Sequence, residues 1–265
     1  MTRTLQIVGA FTRREARTRP PLAAELGWLA LESALVVAVL WQFSRALEGP
    51  VGGARDYLTF AGPAVVLVLF VLAALLSGAR AAERARRNGA LDALLMTAAT
   101  PVSIALGLAS YPVASMFLRV LLACGMLMAA GLAPQGWGAL AAMVSLLLAF
   151  AVAVTATLLL QAAAVTGAAW MRAGVLIAVL GSLLSGALFP LSALPGALAG
   201  ASELFPFRAM AQAIRLSYGG APPASLTQAW TTLLLWLVLL VPLSWMALEA
   251  AFRRARRVGR ARAAI

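Results

Sequence analysis

The side chains able to do chemistry in this sequence are few, and what is missing restricts function as much as what is there. Of 265 residues, 21 are basic and 9 acidic, and every basic residue is Arg. Without His, a Ser-His triad, a His-ligated zinc and a His-held haem are excluded, and the single Cys124 permits neither an internal disulfide nor a cysteine metal cluster. Without Lys, the phosphate loop G-x-x-x-x-G-K-[ST] cannot be built, so the chain by itself is no ordinary P-loop ATPase. The only Asp residues, Asp56 and Asp92, fall in different loops and leave no acidic metal motif. No catalytic residue and no metal ligand is assigned. Two ionisable groups stand inside long apolar runs, Glu32 and Arg119. At membrane depth such a group is costly and lines a cavity or finds a partner. For Glu32 the competing reading is a carboxylate snorkelling to the near interface. Arg119 either neutralises a substrate or a carboxylate inside the bundle, or reaches the inner headgroups.

The elements that hold these groups follow from composition. The chain is 63% hydrophobic and 11% charged, against roughly 45–50% and 25% in soluble domains. It reads as an all-α integral membrane protein. Residues 1–26 form an amino-terminal segment in which Leu5, Ile7, Val8 and Phe11 alternate with five Arg up to Pro20-Pro21, the pattern of an amphipathic helix in the headgroup plane. The same stretch has no apolar core of signal-peptide length. A transmembrane domain, 27–250, then holds six expected spans, at about 27–47, 58–79, 111–132, 140–165, 173–188 and 227–248. A basic tail, 251–265, follows. The break between the third and fourth spans falls at Ala133-Pro134-Gln135-Gly136-Trp137.

Two connections stand out. Arg80 to Pro101 is a charged interruption carrying Arg80, Glu83, Arg84, Arg86, Arg87 and Asp92. Asn88 is placed to cap a short helix whose first turn holds Asp92, with Leu91, Leu94, Leu95 and Ala98 on one face. Such a helix is either a solvated loop or a docking surface. Phe189 to Gln228 contains five of the thirteen prolines yet stays apolar. This composition suits two short helices that dip back into the outer half of the bilayer, where non-spanning backbone is tolerated if buried against protein.

Charge fixes an expected orientation. With a cytoplasmic amino terminus, sixteen Arg lie inside, in the first segment, the Arg80 loop, Arg172 and the tail, against Arg55, Arg208 and Arg215 outside. In a membrane chain the net charge of +12 reports topology and anionic headgroups before nucleic acid.

Taken together, these features resemble the membrane subunit of an ATP-binding-cassette exporter of the type-two permease class. The resemblance covers nearly the whole chain. Gly89-Ala90-Leu91-Asp92-Ala93-Leu94-Leu95-Met96-Thr97 is similar to the family's Gly-Thr-Leu-Glu-x-Leu-Leu-x-Thr-Pro run, with Ala90 and Asp92 as substitutions and the proline displaced to Thr100-Pro101-Val102-Ser103. Gly186-Ala187-Leu188-Phe189-Pro190-Leu191-Ser192-Ala193-Leu194-Pro195 is similar to the turn from the fifth span into an extracellular re-entrant hairpin. Phe205-Pro206-Phe207 and the run to Arg215 follow it.

The resemblance implies a coupling helix seated in a groove of a separate ATPase, with Gly89, Leu91, Asp92, Leu94 and Leu95 at the contact and Arg84, Arg86 and Arg87 near its rim. Gly186, Phe189, Pro190, Pro195 and Pro206 would shape the hairpin. It further implies two ATPase copies that bind ATP and Mg, no cofactor in this chain, and a second permease copy, as a homodimer. The setting would be a bacterial inner membrane, with both termini cytoplasmic. The substrate would be a drug, lipid or lipid-linked glycan. Gly174, Gly181 and Gly186 would let the fifth span approach and slide past its neighbours, the alternative being plain helix packing. A secondary transporter is the first rival, although the fourth and fifth spans carry no charge to bind a coupling ion. A structural membrane scaffold is the second.

The charge asymmetry makes a direct prediction. In a Cys124→Ser background, a cysteine replacing Asn88 should react with a membrane-impermeant maleimide only after the cells are opened. Labelling from outside intact cells would reverse the orientation.

Overall fold

The computed structural model describes residues 22–47, 57–95, 99–134, 136–193 and 195–263. The expected interfacial helix, the Gly-rich turn at 48–56, Thr97 and Leu194 lie outside the described residues, as do the side chains of Asp92 and Leu95. Every regular element described is a helix. In hydrocarbon no water is available to the peptide groups, so apolar runs of this length must satisfy their hydrogen bonds internally. In chain order the helices are α1 (Leu22–Ala46), α2 (Tyr57–Arg87), α3 (Ala90–Leu95), α4 (Pro101–Ala129), α5 (Trp137–Thr166), α6 (Ala168–Leu183), α7 (Gly196–Ala201), α8 (Pro206–Tyr218) and α9 (Pro223–Ala263). Short 3-10 turns at Leu191–Ala193 and Ser202–Leu204 flank α7.

Five of these, α1, α2, α4, α5 and α9, are long and apolar enough to cross a bilayer. The expected fifth span, 173–188, is instead α6, which starts at Ala168 and ends at Leu183. Its 16 residues reach about 24 Å at 1.5 Å per residue, short of roughly 30 Å of hydrocarbon. Leu184 caps the helix, and Gly186 follows at φ +70°, a left-handed backbone that glycine adopts freely. Other elements outrun their expected limits. α2 continues to Arg87 and α9 to Ala263, each extension carrying an i,i+4 ion pair, Glu83–Arg87 and Glu249–Arg253. α4 begins at Pro101 rather than Tyr111. Its start is set locally: Thr100 Oγ1 accepts from the Ser103 N–H at 3.2 Å, with proline in the first turn. The displaced Thr-Pro of the sequence is therefore the cap of α4.

α2 is the axis of the bundle. Within its most apolar window 78% of residues are buried, against 22% in α1 and in α9, which lie at the periphery. Around α2 pack α4, α5 and α8, while α9 lies along α5. Close approach depends on small residues. A Cβ on Gly78 would lie 2.4 Å from Thr157 Cγ2 of α5, a methyl held on a β-branched side chain with little freedom to move.

The bundle has two chemically distinct ends. At one, Ala82 of α2, Leu91 of α3, Ile104 of α4, Val165 of α5 and Leu248 and Phe252 of α9 form a single buried cluster. Arg80, Arg84, Arg86, Arg87, Arg253 and Arg254 stand in the helix segments that form this end. At the other end a buried polar chain ties three helices: Trp230 Nε1 of α9 donates to Ser145 Oγ of α5 at 2.9 Å, and Ser145 lies 3.1 Å from Ser217 Oγ of α8.

Gly78→Ala should lower the unfolding temperature of the detergent-solubilised protein, with a cost of roughly 1–3 kcal/mol for the overpacked methyl. Thr157→Ser in the same chain removes the opposing methyl, keeps the hydroxyl that donates to Ala153 O, and should restore most of the loss. An unchanged unfolding temperature in Gly78→Ala would show that α2 and α5 are not this close.

Candidate functional site

Glu32 and Arg119 find each other. α1 and α4 run side by side in the same direction, so that Tyr111 donates to Glu25 and, two turns on, Arg119 Nε donates to Glu32 Oε2 at 2.8 Å. Ser33 of α1 is buried, and its hydroxyl sits 3.3 Å from the Arg119 carbonyl. Arg119 lies about 27 Å along α4 from Pro101 at 1.5 Å per residue, well into the apolar run. Its side chain is 18% exposed and that of Glu32 40%. The pair cancels the charge that made each residue conspicuous in the sequence, and it joins the outlying α1 to the bundle.

The charged loop is a built structure at the Arg-rich end. α2 terminates at Asn88-Gly89, with Gly89 at φ +72°. Asn88 was expected to cap α3. Its Oδ1 accepts from the Ala90 N–H at the start of α3 at 3.4 Å, and with the amide turned its NH2 meets the Arg84 and Ala85 carbonyls at 2.6 and 3.0 Å, closing α2. Leu91 is buried and Leu94 is half-buried against the cluster at this end. The apolar face of α3 is therefore turned onto its own bundle, while Ala93, Asn88, Gly89, Arg84 and Arg87 are exposed. Arg87 Nε donates to Glu83 at 2.9 Å. Arg86 is half-buried, and its Nε has no hydrogen-bond partner among the described residues.

Two cations hold the Pro-rich segment: Arg208 Nη1 donates within it to Ala199 O, Ser202 Oγ and Glu203 Oε1 at 3.3, 3.0 and 3.0 Å, and Arg215 anchors it to α2. Arg215 of α8 donates from Nε to the Phe60 carbonyl of α2 and from Nη2 to the Gly186 carbonyl, both at 2.8 Å, with its guanidinium 3.9 Å from the Phe60 ring centre. Tyr57 Oη donates to Leu188 O at 3.0 Å, fixing the same turn. Pro206 starts α8, whose Phe207, Met210, Ala211 and Ile214 are buried. α7 has no buried residue, and Phe189 and Pro195 are exposed while Pro190 is half-buried. Gly181 lets Phe205 and Phe207 approach α6, and Gly174 admits Leu160 of α5, so both serve packing.

A groove of about 630 Å³ opens between α6 and α9. Each of these helices packs on α5 but little on the other. Ala153, Ala156 and Ala163 of α5 form its small-residue floor, with Val71 and Leu75 of α2 behind them. Trp170 and Ile177 of α6 form one wall and Trp236 and Leu243 of α9 the other. Phe205 and Pro206 close one end, and Thr166 and Arg254 stand at the Arg-rich end. No sequence pattern marks this groove, because its lining is drawn from five segments none of which is unusual for a membrane helix. Nor does any mark Arg254, one of six Arg in the tail. Among the described residues no three His, Cys, Asp or Glu side chains gather in a way that would hold a metal ion.

No family model, no curated protein and no solved structure matches this chain. What the fold itself supports is an all-helical chain with five helices long and apolar enough to cross a membrane, the character of a multi-pass membrane protein.

Arg119→Leu alone leaves Glu32 charged and unpartnered, and should destabilise the protein more than Arg119→Leu combined with Glu32→Leu. The expected coupling, from unfolding in detergent, is about 0.5–3 kcal/mol. Strictly additive effects would mean that the pair does not hold α1 in place.

Proposed function

We propose that this chain is the permease subunit of an ATP-driven exporter, moving a hydrophobic or amphipathic compound out of the cytoplasm or the inner leaflet. It pairs with a second copy of itself and with two copies of a separate ATP-binding-cassette ATPase that carries the ATP and Mg. The reading includes six crossings, with α6 and the turn after it serving as the short fifth, both termini on the cytoplasmic side, and a bacterial inner membrane. The α7–α8 segment then lies on the outer side as a re-entrant hairpin.

The observation that carries this reading is α3. A chain with no phosphate loop senses ATP only through a surface that moves with its ATPase. α3 is short, follows directly on the central helix α2, packs on the ends of α2 and α9, and places Leu91 in the buried cluster that α4 and α5 share. A displacement of α3 therefore bears on most of the bundle at once. The surface left for a partner is the outward one, Ala93 with Arg84, Arg87 and Asn88 around it, which refines the contact set expected from the sequence. Leu91 and Leu94 act as the link between that surface and the spans.

Two classes of variant separate coupling from folding. Ala93→Asp and Arg84→Glu change exposed positions and should leave the unfolding temperature unaltered while ATPase copurification and export fall at least tenfold. Leu91→Asp removes burial worth roughly 1.5–3 kcal/mol and buries a charge, so the protein itself should unfold more easily. Export at the normal rate in Ala93→Asp and Arg84→Glu, with ATPase still bound, would remove α3 as the coupling element.

A further inference from the structure

We propose that the groove between α6 and α9 is a binding site for one acyl chain of an anionic phospholipid, with the phosphate of that lipid held at Arg254. This inference stands apart from ATP-driven export and needs only that the bundle lies in a membrane.

The length and lining suit an extended hydrocarbon chain. From Trp236 to Arg254 the α9 wall runs about 27 Å at 1.5 Å per residue. A cavity of about 630 Å³ opens along that wall, with room for an extended hydrocarbon chain to make carbon contacts of about 3.5–4.0 Å with the alanine floor. Its length is close to twice a leaflet's depth of about 15 Å, half of the roughly 30 Å core, and a chain entering at one end can lie extended along the alanine floor of α5.

Chemistry gives the occupant its polarity. The lining is apolar from Phe205 to Ala250, and Arg254 stands at the end where Thr166 closes the floor. The Thr166 hydroxyl is already committed to Ala163 O at 2.7 Å. Arg253 is paired with Glu249 at 3.6 Å, whereas Arg254 makes no ion pair or hydrogen bond among the described residues. A free guanidinium at the mouth of a greasy slot, with the exposed Trp170 also in its lining, matches a phosphodiester on a fatty chain. A second copy of the chain fits less well, since a net charge of +12 leaves little acidic surface to meet Arg254. The amino-terminal segment is excluded on the same ground, having five Arg and one Glu before Pro20.

The full chain, purified in detergent, would be mixed with palmitoyl-oleoyl phosphatidylglycerol or with the phosphatidylcholine of the same chains, and bound lipid counted by native mass spectrometry. The wild type should retain one phosphatidylglycerol per protomer, at least tenfold over phosphatidylcholine. Arg254→Gln should erase the headgroup preference. Ala250→Trp, an exposed position on the groove wall, should plug the slot and reduce retention of both lipids at least tenfold, with the unfolding temperature in lipid-free detergent unchanged. Ala163→Trp fills the opposite side and gives an independent plug should the first variant unfold. Equal retention of phosphatidylglycerol by wild type and both plugged variants, or equal retention of the two lipids by the wild type, would overturn the assignment. So would a dimer that the plugged variants dissociate without loss of lipid, which would place a second copy in the groove. None of these readouts involves ATP or export, so a failure here leaves the permease reading intact, and the reverse also holds.

Discussion

The structure depends on how closely α2 can be approached. Between helices in a bilayer the hydrophobic effect contributes little, because lipid tails are as apolar as leucine, and association rests on van der Waals contact and a few polar links. Contact of that kind is lost steeply over fractions of an ångström. The sequence meets this with glycine and alanine along the helix that everything else touches: Gly62 accepts Leu127 of α4 at 3.3 Å from a built Cβ, Gly78 accepts Thr157, and Ala61, Ala64, Ala74 and Ala79 are buried. α5 returns the same chemistry with Ala142, Ala149, Ala153 and Ala162. The alanine face of α5 that packs this core continues outward as the floor of the groove, where no helix covers it.

Polar groups are then placed where they hold this packing in register. Arg215 reaches carbonyls of α2 and of the turn after α6, and it thereby fixes three segments with one side chain. Gln161 of α5 lies against the Ala105 carbonyl and the Ala109 N–H of α4, at 3.0 and 3.3 Å, a side-chain amide matched to backbone groups at a third helix contact. Glu32 and Arg119 do the same for α1. Most of the remaining described Arg residues stand in the end segments of α2 and α9, where water and headgroups solvate them.

Much of this was legible in the sequence, and the failures have physical causes. The class, the spans other than the fifth, the charged loop and the helical character of the Pro-rich segment follow from hydropathy and from proline and arginine positions. Helix limits do not, because hydrogen bonding continues past the membrane boundary where composition changes: α2 runs on to Arg87 and α9 to Ala263. The expected fifth span, 173–188, and α6, Ala168–Leu183, differ in their limits because apolarity alone runs on to Leu188, past the end of the helix. Leu91 and Leu94 were recognisable as one apolar face, yet periodicity is silent on whether such a face meets its own bundle or another protein. Glu32 and Arg119 were singled out one at a time; their pairing needs the parallel alignment of α1 and α4, which no local pattern encodes.

The central claim, that α3 carries motion between an ATPase and the spans, is tested most directly by photocrosslinking in native membranes. A benzoylphenylalanine placed at Ala93, and as a control at Ala197 of α7 near the opposite end, would be activated with and without ATP and vanadate, and the adducts identified by mass spectrometry. Position 93 should capture a P-loop ATPase with a yield that changes severalfold with nucleotide, while position 197 should capture none. Absence of a P-loop ATPase from the adducts at 93, or its equal capture at both positions, would contradict the claim.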